Sequence, residues 1–302
     1  MKSPLKRILH IGGSLLACAA IFFMIVRLQS YLDTIDFSAL ISTIWIYIIL
    51  LSLFVSVCNM FLVMIWYRCL EYLRVQPLFS SATWIYGFSQ LGKYIPGNIF
   101  HLAGRQTIGM AENLPPGKVL KSIIWELAIL ACTASGIFCP PFIAQYFFPA
   151  LAPAWLSGIF ALCCVAVPYV AGRLLGREIR SAILWAVLYL CSFGAVFAAI
   201  LTLITQVDQS PLEIFYGSTA YIVAWFVGFV TPGAPAGFGI REGAMLLLMK
   251  DIAVPEADLL LAVMLSRIVT IFGDFLFFLE SVAIKYMGAK TEHSKIVSSF
   301  LF

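Results

Sequence analysis

Apolar runs of about twenty residues recur along the chain between short polar punctuation, a spacing that predicts transmembrane helices rather than alternating strands. Runs at Ile8–Val26, Leu40–Trp66, Val119–Tyr146, Ala154–Gly172, Ala182–Thr205 and Ala257–Ile284 are each long enough to cross a hydrocarbon core of about 30 Å. Two stretches depart from this pattern. From Ser80 to Met110, two shorter apolar runs carrying Ser89, Gln90, Lys93, Asn98, His101, Arg105 and Gln106 flank Pro96-Gly97. Residues 213–249 repeat the arrangement around Pro232-Gly233, with Pro235, Gly237 and Gly239 extending the irregular part. Proline removes a backbone donor and glycine relaxes the φ limits, so helix should break at both places. In hydrocarbon such a break is tolerated only against other protein or a watery cavity. Corresponding interruptions in two halves of an apolar chain are the sequence pointer to a transporter-type site. The predicted fold is an all-α integral membrane protein of six full transmembrane helices plus two re-entrant helical hairpins. It is one polytopic domain over residues 1–302, with inverted halves at about 1–150 and 151–290 and a polar tail at 286–302.

Composition makes a water-soluble fold untenable. The chain is 62% hydrophobic and only 11% charged, against about a quarter charged in soluble domains. Lys2, Lys6 and Arg7 followed by Leu15-Leu16-Ala17-Cys18 faintly resemble a secretion signal, but the apolar run continues through Met24 and is read as a span. The distribution of cations gives the orientation. With the amino terminus cytoplasmic, cytoplasmic segments hold Lys2, Lys6, Arg7, Arg68, Arg74, Lys118, Lys121, Arg173, Arg177, Arg180, Lys285, Lys290 and Lys295; outer segments hold Arg27 and Lys250. That bias follows the positive-inside rule and places both termini in the cytoplasm.

The other four of the 19 Lys and Arg residues, Lys93, Arg105, Arg241 and Arg267, fall at membrane depth. Each costs about 2.5–3.5 kcal/mol at a bilayer centre even on the lenient insertion scale, so partners, water or a ligand must offset them. Glu126, Glu242, Asp274 and Glu280 are the nearby anions. Arg267 and Asp274 share a helix face but stand roughly 10 Å apart along its axis, so each should meet another helix. Two readings of these charges stay open: they lock helices together, or they line an ion or substrate path.

Arg105 and Arg241 each follow their proline by nine positions. The exiting half-helices should begin near Asn98 and Phe238, and helix amino ends favour anions. Lys93, Asn98, His101, Arg105, Arg241 and Glu242 are therefore the candidate ligand-binding residues, with Arg105 and Arg241 expected to face one anionic group. Pro96, Gly97, Pro232, Gly233, Gly237 and Gly239 shape the backbone there, and Glu126, Arg267 and Asp274 are candidate coupling or helix-locking charges.

Other chemistries lack their patterns. Gly87-Phe88-Ser89-Gln90-Leu91-Gly92-Lys93 stops short of a phosphate-binding loop, because Tyr94 stands where the motif needs Ser or Thr to hold magnesium. The eight cysteines form no CxxC or zinc spacing, and no nucleophile elbow or HExxH occurs. No enzyme activity, cofactor, metal or nucleic-acid partner is expected, and oligomeric state is left open.

The stretches Gly92–Arg105 and Pro232–Gly243 resemble the paired signatures of the lysylphosphatidylglycerol synthase membrane-region family, whose members include flippase portions of bacterial multiple-peptide-resistance factors. Ala234-Pro235-Ala236 departs from that family's glycine-rich run. The resemblance implies a bacterial inner-membrane protein that moves or presents lipid-linked groups. Since these 302 residues carry neither an aminoacyl-transferase nor a glycosyltransferase domain, it does not imply lipid synthesis. A flippase-like lipid transporter is expected, the alternative being a partner that presents a lipid acceptor to a separate transferase and moves nothing.

Overall fold

Helix is the only regular structure among the described residues, as a chain with no water to satisfy its backbone requires. The computed structural model describes residues 22, 43–95, 99–148, 153–205, 210–231, 239–249 and 254–299. The helices are α1 (Thr43–Tyr72), α2 (Phe79–Gln90, followed by a 3-10 turn at Leu91–Tyr94), α3 (Phe100–Ala111), α4 (Pro116–Thr133) and α5 (Cys139–Phe147). They continue as α6 (Pro153–Leu175), α7 (Arg177–Ile204), α8 (Pro211–Val230), α9 (Ile240–Leu248) and α10 (Glu256–Ser299). A π-helical turn at Ala134–Phe138 carries α4 into α5 ahead of Pro140-Pro141.

Among the described residues six helical stretches are long and apolar enough to cross a membrane: Ile44–Tyr72, Pro116–Ala144, Trp155–Leu175, Arg177–Ile204, Pro211–Val230 and Glu256–Gly288. Five coincide with expected spans. The expected span Ile8–Val26 lies outside the described residues except for Phe22. The sixth crossing-length helix is α8, which sequence reasoning had made the entering arm of the second hairpin. It starts sharply, with Ser210 accepting from the Glu213 amide while the Glu213 carboxylate bonds back to the Ser210 amide at 2.7 Å, and Pro211 occupies the first turn. Nothing then interrupts it before Thr231-Pro232, so its 20 residues extend about 30 Å.

Both interrupted regions fold back on themselves. In the first, Gly92 abuts the backbone of Phe100 and His101, Arg105 reaches Ser89, and Lys285 ties Ser81 (3.0 Å) to Glu112 (2.8 Å). These pairings step evenly outward from residues 96 and 97, so α2 and α3 are antiparallel. In the second, Arg241 lies over Tyr221, Gly217 lies against Met249, and Tyr216 bonds the Leu248 carbonyl at 3.4 Å. The midpoints of these pairs in sequence fall between residues 231 and 233, so α8 and α9 are antiparallel too. At about 18 Å and about 14 Å, α3 and α9 are both too short to cross.

Helix α10 is the hub. In its apolar window 61% of the residues are buried, against 6% for α6 at the rim. Small residues bring it close to its neighbours: Ser281 against Gly87, Gly288 against Ser80, and Gly273 against Val55 and the Ser52 carbonyl. It also continues through residues 286–299, marked as a polar tail by composition; polar residues without a proline stop do not end a helix.

Buried apolar side chains form two clusters. One joins α1, α2, α4 and the first half of α7; the other joins the second half of α7 with α8, α9 and α10. Leu91, Tyr94 and Ile95 belong to the second cluster, so the tip of the first folded-back pair reaches the region of the second.

Candidate functional site

Among the described residues three ion pairs lie inside this bundle, and they join most of the charges singled out from the sequence. Asp274, fully buried on α10, is met from two directions. Lys93 at the end of the 3-10 turn places its Nζ 2.6 Å from Oδ2, Tyr94 donates its hydroxyl to the same oxygen, and Asn59 of α1 donates to Oδ1 at 3.0 Å. About two turns away on the same face of α10, Arg267 meets Glu242 at the start of α9. Its Nε is 2.7 Å from Oε1, a charge contact without hydrogen-bond alignment, while Nη2 donates to Oε2 at 3.2 Å. Arg267 and Asp274 thus engage different elements, as their separation along the axis requires.

The third pair is sealed. Arg105, 1% exposed, donates to Oε2 of Glu126 on α4, and Tyr86 donates to Oε1 at 2.6 Å. The guanidinium lies over the Tyr86 ring at 3.9 Å and the Trp66 ring at 5.4 Å, and Trp66 is itself fixed by donating to Ser122 at 2.8 Å. Aromatic faces, a carboxylate and a marginal contact to Ser89 at 3.5 Å enclose the charge completely.

Arg105 and Arg241, expected to face one anionic group, stand in different surroundings. Arg105 is consumed by Glu126, 21 residues on, whereas Arg241 on α9 lies over Phe193 at 5.6 Å and Tyr221 at 5.9 Å. The equal offset from proline does not give them equal places: Arg105 lies in the second turn of α3 and Arg241 in the first turn of α9. The neighbouring helices then supply different surroundings.

His101 stands in the first turn of α3, with a buried Nδ1 that has no hydrogen-bond partner among the described residues. The charges of Arg105 and Lys93 both reach it. Gly239 precedes α9 with φ 79°, a left-handed conformation that favours glycine. Pro96, Gly97, Asn98, Pro232, Gly233 and Gly237 lie outside the described residues.

Asn59, Tyr94, Tyr86 and Trp66 were missed as site residues. Asn59 carried a signal, being the lone amide in the apolar run Leu40–Trp66. The aromatics carried none, since 15% of the chain is Phe, Trp or Tyr. Among the described residues no group of His, Cys, Asp and Glu is arranged to hold a metal.

No family model matches the chain, and neither a curated protein nor a solved structure matches it.

Proposed function

We propose that this protein is a flippase-like lipid transporter of a bacterial inner membrane, with both termini cytoplasmic. Its two broken segments act as re-entrant hairpins of an inverted repeat and bind an anionic headgroup or lipid-linked group between them. One observation carries the reading: both segments converge on α10 through buried charges of opposite sense, Lys93 on Asp274 and Glu242 on Arg267. Ionisable groups at membrane depth are costly, and they concentrate where ions or polar substrates pass. Residues that lock helices by packing alone need no charge, whereas a pair that trades partners with a ligand does. The resemblance of the two Pro-Gly segments to a lipid-handling family supports the choice of lipid as ligand.

A second reading has its own support. The sealed Arg105–Glu126 pair stiffens the first folded-back segment, and rigidity suits a partner that presents a lipid acceptor to a separate transferase. Reconstitution decides between them. Purified protein in liposomes carrying a fluorescent anionic phospholipid should make inner-leaflet label accessible to an external quencher. Lipid binding with no movement above protein-free liposomes would reject transport and leave the presenting role.

A further inference from the structure

Of the three buried pairs, one is built to come apart without leaving a bare carboxylate. Glu126 has a single donor on each oxygen, Tyr86 on Oε1 and Arg105 on Oε2, so loss of Arg105 would strip Oε2. Both oxygens of Glu242 rest on one guanidinium, so loss of Arg267 would strip both of that cover. Asp274 differs. If Lys93 left, Oδ2 would keep the Tyr94 hydroxyl and Oδ1 would keep the Asn59 amide. The departing cation is also the most accessible of the six charged side chains, 18% exposed where the other five range from 0% to 14%. A lysine is moreover a point charge on a flexible stem, able to change partner without matching a planar fork.

We infer that Lys93 is a binding residue for a phosphate-bearing anion, with Asp274 as its resting partner and the headgroup as the partner it exchanges to. This rests on the lipid-binding reading above and names the residue that performs it. The surroundings suit the exchange. Gly92 packs on the His101 backbone, which brings the start of α3 beside Lys93, and the buried Nδ1 of His101 there, with no hydrogen-bond partner among the described residues, is a second polar group available to the anion. Burying such an atom without a hydrogen bond is costly, and an incoming phosphate oxygen relieves that cost. Asp274 then acts as a competitor: it holds Lys93 when no ligand is present and sets how tightly the anion must bind to displace it.

Competition makes a prediction that a purely structural pair does not. Full-length protein in nonionic detergent micelles is titrated with phosphatidylglycerol, with phosphatidylcholine, and with inorganic phosphate, and the thermal midpoint is followed. Wild type should be stabilised by phosphatidylglycerol and not by phosphatidylcholine. Lys93→Gln should weaken the apparent affinity about tenfold, the worth of one charge-assisted hydrogen bond. Asp274→Asn should strengthen it by about the same factor, since the competitor is gone. The double variant K93Q/D274N removes both charges together, which spares the fold an uncompensated ion, and it should bind as poorly as Lys93→Gln. His101→Ala should weaken binding less than Lys93→Gln does. A response to inorganic phosphate equal to that with phosphatidylglycerol would keep Lys93 as the anion site and assign it to a soluble phosphate ester. A folded double variant with the wild-type response, or weakened binding in Asp274→Asn, would overturn the exchange while leaving lipid binding intact. A wild type indifferent to all three would overturn lipid binding itself.

Discussion

The two interrupted regions share Pro-Gly, an arginine nine residues after the proline, and an antiparallel fold-back, yet they are built differently. The first is a pair of short helices whose arginine is walled in by Glu126, Tyr86 and Trp66. The second pairs a crossing-length helix with a nine-residue one and opens with a left-handed Gly239. Its charged partner, Glu242, keeps 14% side-chain exposure, against 4% for Glu126. The repeated motif leaves the two arginines in different turns of their short helices, the second of α3 and the first of α9. Helices from elsewhere in the chain decide what each side chain does.

The sharpest break in the comparison comes from the two carboxylate partners. Arg105→Gln leaves Glu126 charged and buried, and should cost about 3–5 kcal/mol of stability, with R105L/E126L recovering most of it. Arg267→Gln should cost less, because Glu242 is less completely enclosed; stability in mixed detergent–SDS titration measures both. Equal losses would mean that the two regions are equally sealed.

Next in size is packing around the hub. A side chain at Gly273 meets Val55 and the Ser52 carbonyl, so Gly273→Leu should cost about 1–3 kcal/mol through overpacking. At Gly158 on the rim helix α6 nothing lies within 4 Å, and Gly158→Leu should be tolerated in the same titration. Smaller still is the entry to α9. Gly239→Ala must hold an L-residue at φ 79° and should lose about 1–2 kcal/mol, whereas Gly243→Ala, in open space inside a helix, should gain a few tenths.

Much of this was legible in the chain. Unbroken apolar runs announced five of the six crossing-length helices among the described residues, and each Pro-Gly interruption falls in sequence between two helices that lie antiparallel. The seven-residue spacing of Arg267 and Asp274 showed that each would need a partner on another element. Length was less legible. Helix α8 has no proline between Pro211 and Thr231, so its 20 residues form one continuous helix where a short arm was expected. Partnership was not legible at all. Lys93 finds Asp274 across 181 residues and Asn59 finds it across 215, and no local pattern records such contacts. The fate of Arg105 was hidden for the same reason, since its aromatic walls look in sequence like ordinary membrane packing.

A charge on the first broken segment is held by α10, and a double-mutant cycle reads that directly. Stability is measured by SDS titration of mixed micelles for wild type, Lys93→Gln, Asp274→Asn and the double variant. The structure predicts a coupling energy of about 1–3 kcal/mol, the double variant losing clearly less than the sum of the single losses. Additive losses, with coupling near zero, would contradict it.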